Sequence, residues 1–156
     1  MKKITFVTLI ILSILSAVVY ANTSEDIALK LVEKYHFGQN LSAISYQVAS
    51  QTQTYRMIVD KVGEQKAQSI VKSEINKGVS NYQKQWNKNL ASSYAQIISI
   101  EKLQSLVNEG RSSQYSSEFK SKQNEIGLLM QSKSKSLLNE FVTKALNAAF
   151  NQTVPK

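Results

Sequence analysis

The sequence predicts an all-α protein, an irregular bundle of five or six helices that follows a cleaved signal peptide. Three observations support this fold class. The only proline, Pro155, lies next to the end of the chain. The five glycines avoid the two-residue turns typical of β-hairpins. Apolar residues recur every three or four positions over long stretches, which is the period of a helix and not of a strand.

Residues 1–21 have the features of an export signal. Two lysines precede an apolar run over residues 4–20, and Ala21 is the small residue expected before the cut. We expect cleavage between Ala21 and Asn22, and one helical domain over residues 22–156. An uncleaved anchor is the alternative, because the run approaches the length of a membrane-spanning helix.

This signal predicts export through the general secretory route to the periplasm, with secretion as the alternative. The chain has no cysteine, so we expect neither a disulfide nor a lipid-modified amino terminus. No later stretch is apolar enough to span a membrane, and we therefore expect no integral membrane segment after cleavage.

Two helices are predicted in the first part of the domain. The first begins at Ser24, whose hydroxyl can cap it, and Gly38 is a plausible left-handed terminator. The second opens after Asn40 and carries apolar residues as far as Ile58. Its middle, residues 49–54, is polar and poor in helix formers.

The third helix is the longest. Its inner stripe is formed by Ala67, Val71, Ile75, Val79, Tyr82, Trp86, Leu90, Tyr94 and Ile97. These steps of three and four residues are typical of a helix. Gly78 lies outside the stripe and weakens the helix by about 1 kcal/mol relative to alanine, so a bend there is expected.

A short helix follows, with Ser99 as its cap and Gly110 as its end. The last apolar stripe then runs from Tyr115 to Phe150. Residues 131–136 interrupt it without a single apolar side chain. We interpret this gap as a solvent-facing turn or as a helix boundary capped by serine.

Few residues suggest catalysis or metal binding. The chain has one histidine, His36, and no cysteine. We therefore expect neither a metal site nor a catalytic dyad or triad that pairs a nucleophile with histidine, and we predict no cofactor. His36 fits a structural role at a helix end better than a proton-transfer role. The acidic residues are spread singly, as on solvated helix surfaces. For a cell-wall-active enzyme that uses one glutamate, Glu118 and Glu125 are the nearest candidates.

The formal net charge is +8, and the positive charge is almost entirely lysine. Arg56 and Arg111 are the only arginines, so the arginine forks typical of nucleic-acid recognition are missing and no nucleic-acid partner is expected. Scattered lysines indicate a solvated surface, or loose attraction to anionic lipid or to an acidic protein.

Tyr82, Trp86 and Tyr94 share a helix face that is either part of the core or a binding patch. We favour the core. The candidate partner-contact residues are Tyr82, Trp86, Arg111, Lys120, Lys122, Lys133 and Lys135. The four lysines are candidates for a basic edge of the carboxy-terminal segment.

The segment from Trp86 to Phe150 resembles the helical module of exported bacterial proteins catalogued as domain of unknown function 2059. The matching features are Leu90-Ala91 with Tyr94, Ile100-Glu101-Lys102-Leu103, and Gln123-Asn124-Glu125-Ile126-Gly127 before Met130. The resemblance implies a helical periplasmic protein and supplies no catalytic residues.

Together these observations favour a non-enzymatic periplasmic protein that binds another macromolecule of the envelope. Neutralising an envelope-targeted toxin, as an immunity protein does, and escorting an exported protein are two such functions. The alternatives are the single-glutamate enzyme and a binder of anionic lipid surfaces. The identity of the partner and the oligomeric state stay open.

Overall fold

The computed structural model describes residues 23–154, and within this range the chain forms seven α-helices and one short 3-10 turn, with no strand. The helices are α1 (Ser24–Lys34), α2 (Leu41–Ser50), α3 (Gln53–Val62), α4 (Glu64–Ile97), α5 (Ile100–Glu109), α6 (Ser116–Ser121) and α7 (Gln123–Asn151), and the turn is Gly110–Ser112. The all-α class is confirmed for these residues. The expected signal segment and its cleavage site at Ala21 and Asn22 lie outside them.

Helix α4 is the scaffold of the bundle. Its 34 residues give a length of about 51 Å. The predicted inner stripe is confirmed, with Ala67, Val71 and Ile75 fully buried near one end and Trp86 and Tyr94 buried near the other. Helices α1, α2, α3 and α7 all pack against α4, and α5 packs against α1. In the described range no helix has both the length and the apolar character needed to cross a membrane.

The amino terminus of α1 is capped one residue earlier than predicted. Thr23 is the cap residue: its Oγ1 accepts from the Asp26 amide at 3.2 Å, and its own amide donates to Asp26 Oδ2 at 3.0 Å. This reciprocal pair requires an acidic side chain three residues after the cap. Ser24 is followed at that distance by Ile27, so Ser24 cannot form it.

The prediction that Gly38 terminates the first helix in a left-handed conformation is wrong. His36 has that conformation, with φ of 57°, and its side chain is exposed. Gly38 is buried, and glycine is required there because a Cβ would collide with the side chain of Asn87. The loop therefore approaches α4 closely at Gly38.

The predicted second helix is divided in two. Thr52 donates to the carbonyl of Ala49 at 2.7 Å, and its Oγ1 accepts from the amide of Tyr55 at 3.1 Å. One hydroxyl thus serves the end of α2 and the start of α3, which explains the polar stretch over residues 49–54. This break and a second one at Lys122, between α6 and α7, raise the helix number from the expected five or six to seven in the described residues.

Residues 131–136 form neither a turn nor a helix boundary, because α7 continues through them. Ser134 is buried inside this polar stretch, and its Oγ accepts from Asn89 Nδ2 of α4 at 3.0 Å. A small hydroxyl-bearing side chain therefore replaces an apolar one where α7 meets α4.

Three further details bear on the predictions. Gly78 is half-buried against Phe141 of α7, and a Cβ there would lie 2.9 Å from the Cε2 atom of that ring. Gly110 has a φ of 62° and ends α5 as predicted. Ser99 occupies the cap position of α5, but its hydroxyl makes no capping bond to the helix backbone.

Candidate functional site

A groove of about 890 Å³ lies between α2 and α7, with α4 beneath it. Helices α2 and α7 each pack against α4. We call this surface the α2–α7 groove. Its volume lies in the range typical of ligand-binding sites.

The floor of the groove is the aromatic end of the α4 stripe, with Trp86, Leu90 and Tyr94 among the lining residues. Trp86 is only 4% exposed, and its Nε1 donates to Asn40 Oδ1 at 3.2 Å. The indole therefore has the hydrogen-bond partner that a buried tryptophan needs. Burial also raises the pKa of the Tyr94 phenol to about 12, because the charged form would lose its hydration.

One end of the groove is closed by an aromatic cluster. The ring centroid of Phe37, in the loop after α1, lies 6.2 Å from that of Tyr94 and 6.0 Å from that of Phe119. Tyr94 and Phe119 are 5.1 Å apart. Phe37 is 38% exposed and lines the groove. His36, which has a left-handed backbone conformation, directly precedes Phe37 in the chain.

The walls combine apolar and carboxamide side chains. Ile44 and Val48 of α2 face Met130 and Leu138 of α7 across the groove, and Leu128 is 69% exposed at the α7 wall. The carboxamides of the lining are Asn40, Gln47, Gln123, Gln131 and Asn139.

Charge is nearly absent from the α2–α7 groove. Lys135 is the only charged residue among its lining residues, and no aspartate or glutamate belongs to them. The surface is therefore suited to neutral or acidic ligands and unsuited to basic ones.

A second cavity of about 290 Å³ continues the groove along α7 and shares Val48 and Asn139 with it. Its other lining residues are Thr52, Thr54, Val142, Thr143, Leu146 and Asn147. No charged residue lines this extension.

Among the predicted partner-contact residues, only Trp86 and Lys135 line the α2–α7 groove. Tyr82 is stacked on Phe141 with ring centroids 4.6 Å apart, and its hydroxyl donates to Glu140 Oε1 at 3.0 Å. The phenol is therefore fixed against α7, outside the groove.

The remaining predicted residues are dispersed. Arg111 is exposed in the 3-10 turn, Lys120 is exposed on α6, and Lys133 is exposed on α7. Lys122 pairs with Glu125 at 3.0 Å. None of these four residues lines the groove.

Neither glutamate singled out for catalysis lies in the groove. Glu118 of α6 accepts two bonds from Lys102 Nζ, at 2.6 and 2.8 Å, and Glu125 is held by Lys122. Both carboxylates are therefore neutralised by lysines on the surface. Over residues 23–154 no three histidine, aspartate or glutamate side chains lie together as metal ligands.

Sequence reasoning missed the carboxamides of the groove. A signal for them was present, because Gln123, Gln131, Asn139 and Asn147 follow one another at intervals of eight residues. That spacing is not a helical repeat of one face, since eight residues turn the helix about 80° beyond two full turns. What these four residues share is that they line the groove or its extension.

Comparisons with family models, with curated proteins and with solved structures find no match in any of the three.

Proposed function

We propose that this protein is a non-enzymatic binding protein of the bacterial envelope, and that it holds part of another macromolecule in the α2–α7 groove. The observation that carries the proposal is the groove itself, a concave surface of about 890 Å³ with a Trp86–Leu90–Tyr94 floor and walls in which Lys135 is the only charged residue. Tryptophan and tyrosine are enriched among the residues that contribute most to binding at protein interfaces.

The electrostatics of the site support binding over catalysis. General acid–base chemistry needs a carboxylate or histidine that reaches the bound substrate. The lining of the groove offers neither, and Glu118 and Glu125 are each paired with a lysine.

We propose the periplasm as the location of this activity, on the basis of the expected export signal. Toxin neutralisation and the escort of an exported protein both fit a groove of this kind, and the resemblance to domain of unknown function 2059 is part of the same proposal. We propose a protein as the partner, because the groove lacks the clustered lysines that would attract an anionic lipid surface.

Site-specific photo-crosslinking in cells tests the proposal. A photoreactive amino acid replaces Gln131, an exposed residue of the groove, and in a matched strain it replaces Gln104, an exposed residue of α5 outside it. We expect a discrete cross-linked partner from position 131 and none from position 104. Equal cross-linking from both positions, or none from position 131, would contradict the proposal.

Rebinding of the purified partner makes the test quantitative. Leu128→Glu places a charge on the α7 wall, and Met57→Glu places the same charge on α3, where the side chain is 42% exposed and outside the groove. We expect Leu128→Glu to weaken binding at least tenfold, whereas Met57→Glu leaves it within about twofold of wild type.

The enzymatic and lipid alternatives predict different results. Release of muropeptides from peptidoglycan that is lost in Glu118→Gln or Glu125→Gln would overturn the binding-only proposal. Sedimentation with anionic vesicles that is abolished by salt, with no cross-linked protein, would favour the lipid alternative.

A further inference from the structure

The carboxamides of α7 form a regular series along the groove and its extension. Gln123, Gln131, Asn139 and Asn147 line them in order, and each interval of eight residues corresponds to a rise of about 12 Å. The whole series spans about 36 Å. On the opposite wall, Gln47 of α2 adds a further exposed carboxamide.

Most of these amides are unused by the fold. Within the described part of the chain, Gln123 Nε2 donates to the carbonyl of Phe119 at 2.9 Å. The side chains of Gln47, Gln131, Asn139 and Asn147 make no hydrogen bond to other described residues. Their donors and acceptors are therefore available to a ligand.

We propose that the groove binds an extended segment of polypeptide and that the carboxamides form hydrogen bonds with the backbone of that segment. This inference rests on the proposed function. A carboxamide carries both a donor and an acceptor, as a peptide group does. The peptide groups of an extended segment are unpaired unless another strand or a side chain meets them. A helical ligand has already paired its backbone internally, so the carboxamides would gain little from it.

The spacing and the apolar residues fit such a segment. Measured along the axis of α7, an interval of about 12 Å equals roughly four residues of extended chain, and 36 Å equals roughly eleven. Each step also turns about 80° around the helix, which lengthens the path that the segment follows. Between the amides, Ile44, Val48 and Leu138 offer apolar surface to the side chains that face the groove. Backbone bonds supply affinity in this mode, and apolar contacts at alternate positions supply selectivity.

Charge defines the class of segment further. The lining contains Lys135 and no carboxylate, and the whole chain has a formal net charge of +8. A segment that bears aspartate or glutamate is therefore attracted, and one that bears lysine or arginine is repelled and finds no counter-charge in the groove. The inferred ligand is an extended, apolar segment of neutral or acidic polypeptide.

The test uses a labelled synthetic peptide of about eleven residues in which leucine and serine alternate and some serines are replaced by aspartate. Binding to the purified full-length protein is followed by fluorescence anisotropy. Three further peptides keep most side chains: one is N-methylated at alternate backbone amides, one is locked as a helix by a side-chain bridge, and one has lysine in place of aspartate. We expect each to bind at least about tenfold more weakly than the parent.

Variants of the protein separate hydrogen bonding from apolar contact. Gln131→Met with Asn139→Leu keeps the approximate size of the side chains and makes the groove more apolar. We expect this double variant to bind the parent peptide about fivefold to tenfold more weakly. The matched control is Gln104→Met with Asn108→Leu on α5, two exposed carboxamides outside the groove, which should bind like wild type.

Several results would overturn the inference. Tighter binding of the helix-locked peptide would show a helical ligand, and equal or tighter binding by the Gln131→Met, Asn139→Leu variant would show a purely apolar site. Binding of glycan strands with no binding of any peptide would also overturn it. In the first two cases a protein partner can still be cross-linked from position 131, so failure of this inference is distinguishable from failure of the proposed function; the glycan result would contradict both.

Discussion

Ser45 lies in the middle of α2 on its buried face, between Leu41 and Ala49, and its side chain is fully buried. In the described part of the chain, its Oγ is the only buried side-chain nitrogen or oxygen atom without a hydrogen-bond partner. A hydroxyl that loses water and gains no partner costs about 1–3 kcal/mol. Ser45→Ala removes that cost and adds a few tenths of a kcal/mol of helix propensity.

We therefore expect Ser45→Ala to raise the free energy of unfolding by about 1–2 kcal/mol, and the melting temperature by about 3–6 °C. Urea unfolding followed by the fluorescence of the single tryptophan, Trp86, measures the change, with far-ultraviolet circular dichroism as a second probe. The urea midpoint should rise while the slope m stays constant, because the surface exposed on unfolding is nearly unchanged.

Two other buried serines serve as controls. Ser93 Oγ donates to the carbonyl of Asn89 at 2.8 Å, and Ser134 Oγ accepts from Asn89 Nδ2 at 3.0 Å. Replacing either by alanine removes a formed bond worth about 1 kcal/mol, so neither variant should be more stable than wild type. If Ser45→Ala is less stable than wild type, or no more stable than Ser93→Ala, the Ser45 hydroxyl has a partner in solution and the reasoning is refuted.

Three further predictions concern the backbone and the caps. Gly78→Ala should destabilise the protein by about 1–3 kcal/mol, because the added Cβ would press on Phe141. Gly127 lies in open space on α7, so Gly127→Ala should stabilise the protein by up to about 1 kcal/mol. The same urea titration tests both variants. His36→Gly should raise the melting temperature slightly, since glycine adopts the φ of 57° without strain, and a decrease would show that the imidazole contributes to the fold. The cap hydroxyl and amide that bond to Asp26 lower the pKa of its carboxyl below 3.8. The ionised form therefore stabilises the fold above that pH, and Asp26→Asn should be less stable at neutral pH, with the difference vanishing as the pH falls through the folded-state pKa.

Apolar periodicity was sufficient to predict the helical class and the long α4. The stripe from Ala67 to Tyr94 is mostly buried in the structure, because an amphipathic helix of this length has one stable way to face a core. Helix ends were predicted less well. Thr23 prevailed over Ser24 as a cap because of where Asp26 falls, and Gly38 is needed for close approach to α4 and not for a left-handed turn.

The groove could not be predicted from the sequence, because its lining residues come from the loop after α1 and from three helices that are distant along the chain. Trp86 illustrates the limitation. Its position in the apolar stripe identified Trp86 as a core residue. The pattern could not show that this buried side chain also lines a groove. Predicting that requires the relative placement of α2 and α7, which depends on where α2 ends.

The two stretches in which the apolar pattern fails both line the groove or its extension. Residues 49–54 contribute Thr52 and Thr54, and residues 131–136 contribute Gln131 and Lys135 among others. Each stretch is ordered nonetheless, the first by a cap hydroxyl and the second by the buried Ser134. Departures from local folding rules concentrate where a surface is kept for binding. Since neither departure improves the core, their positions along the groove and its extension support the proposal that this surface, and not the scattered lysines, binds the partner.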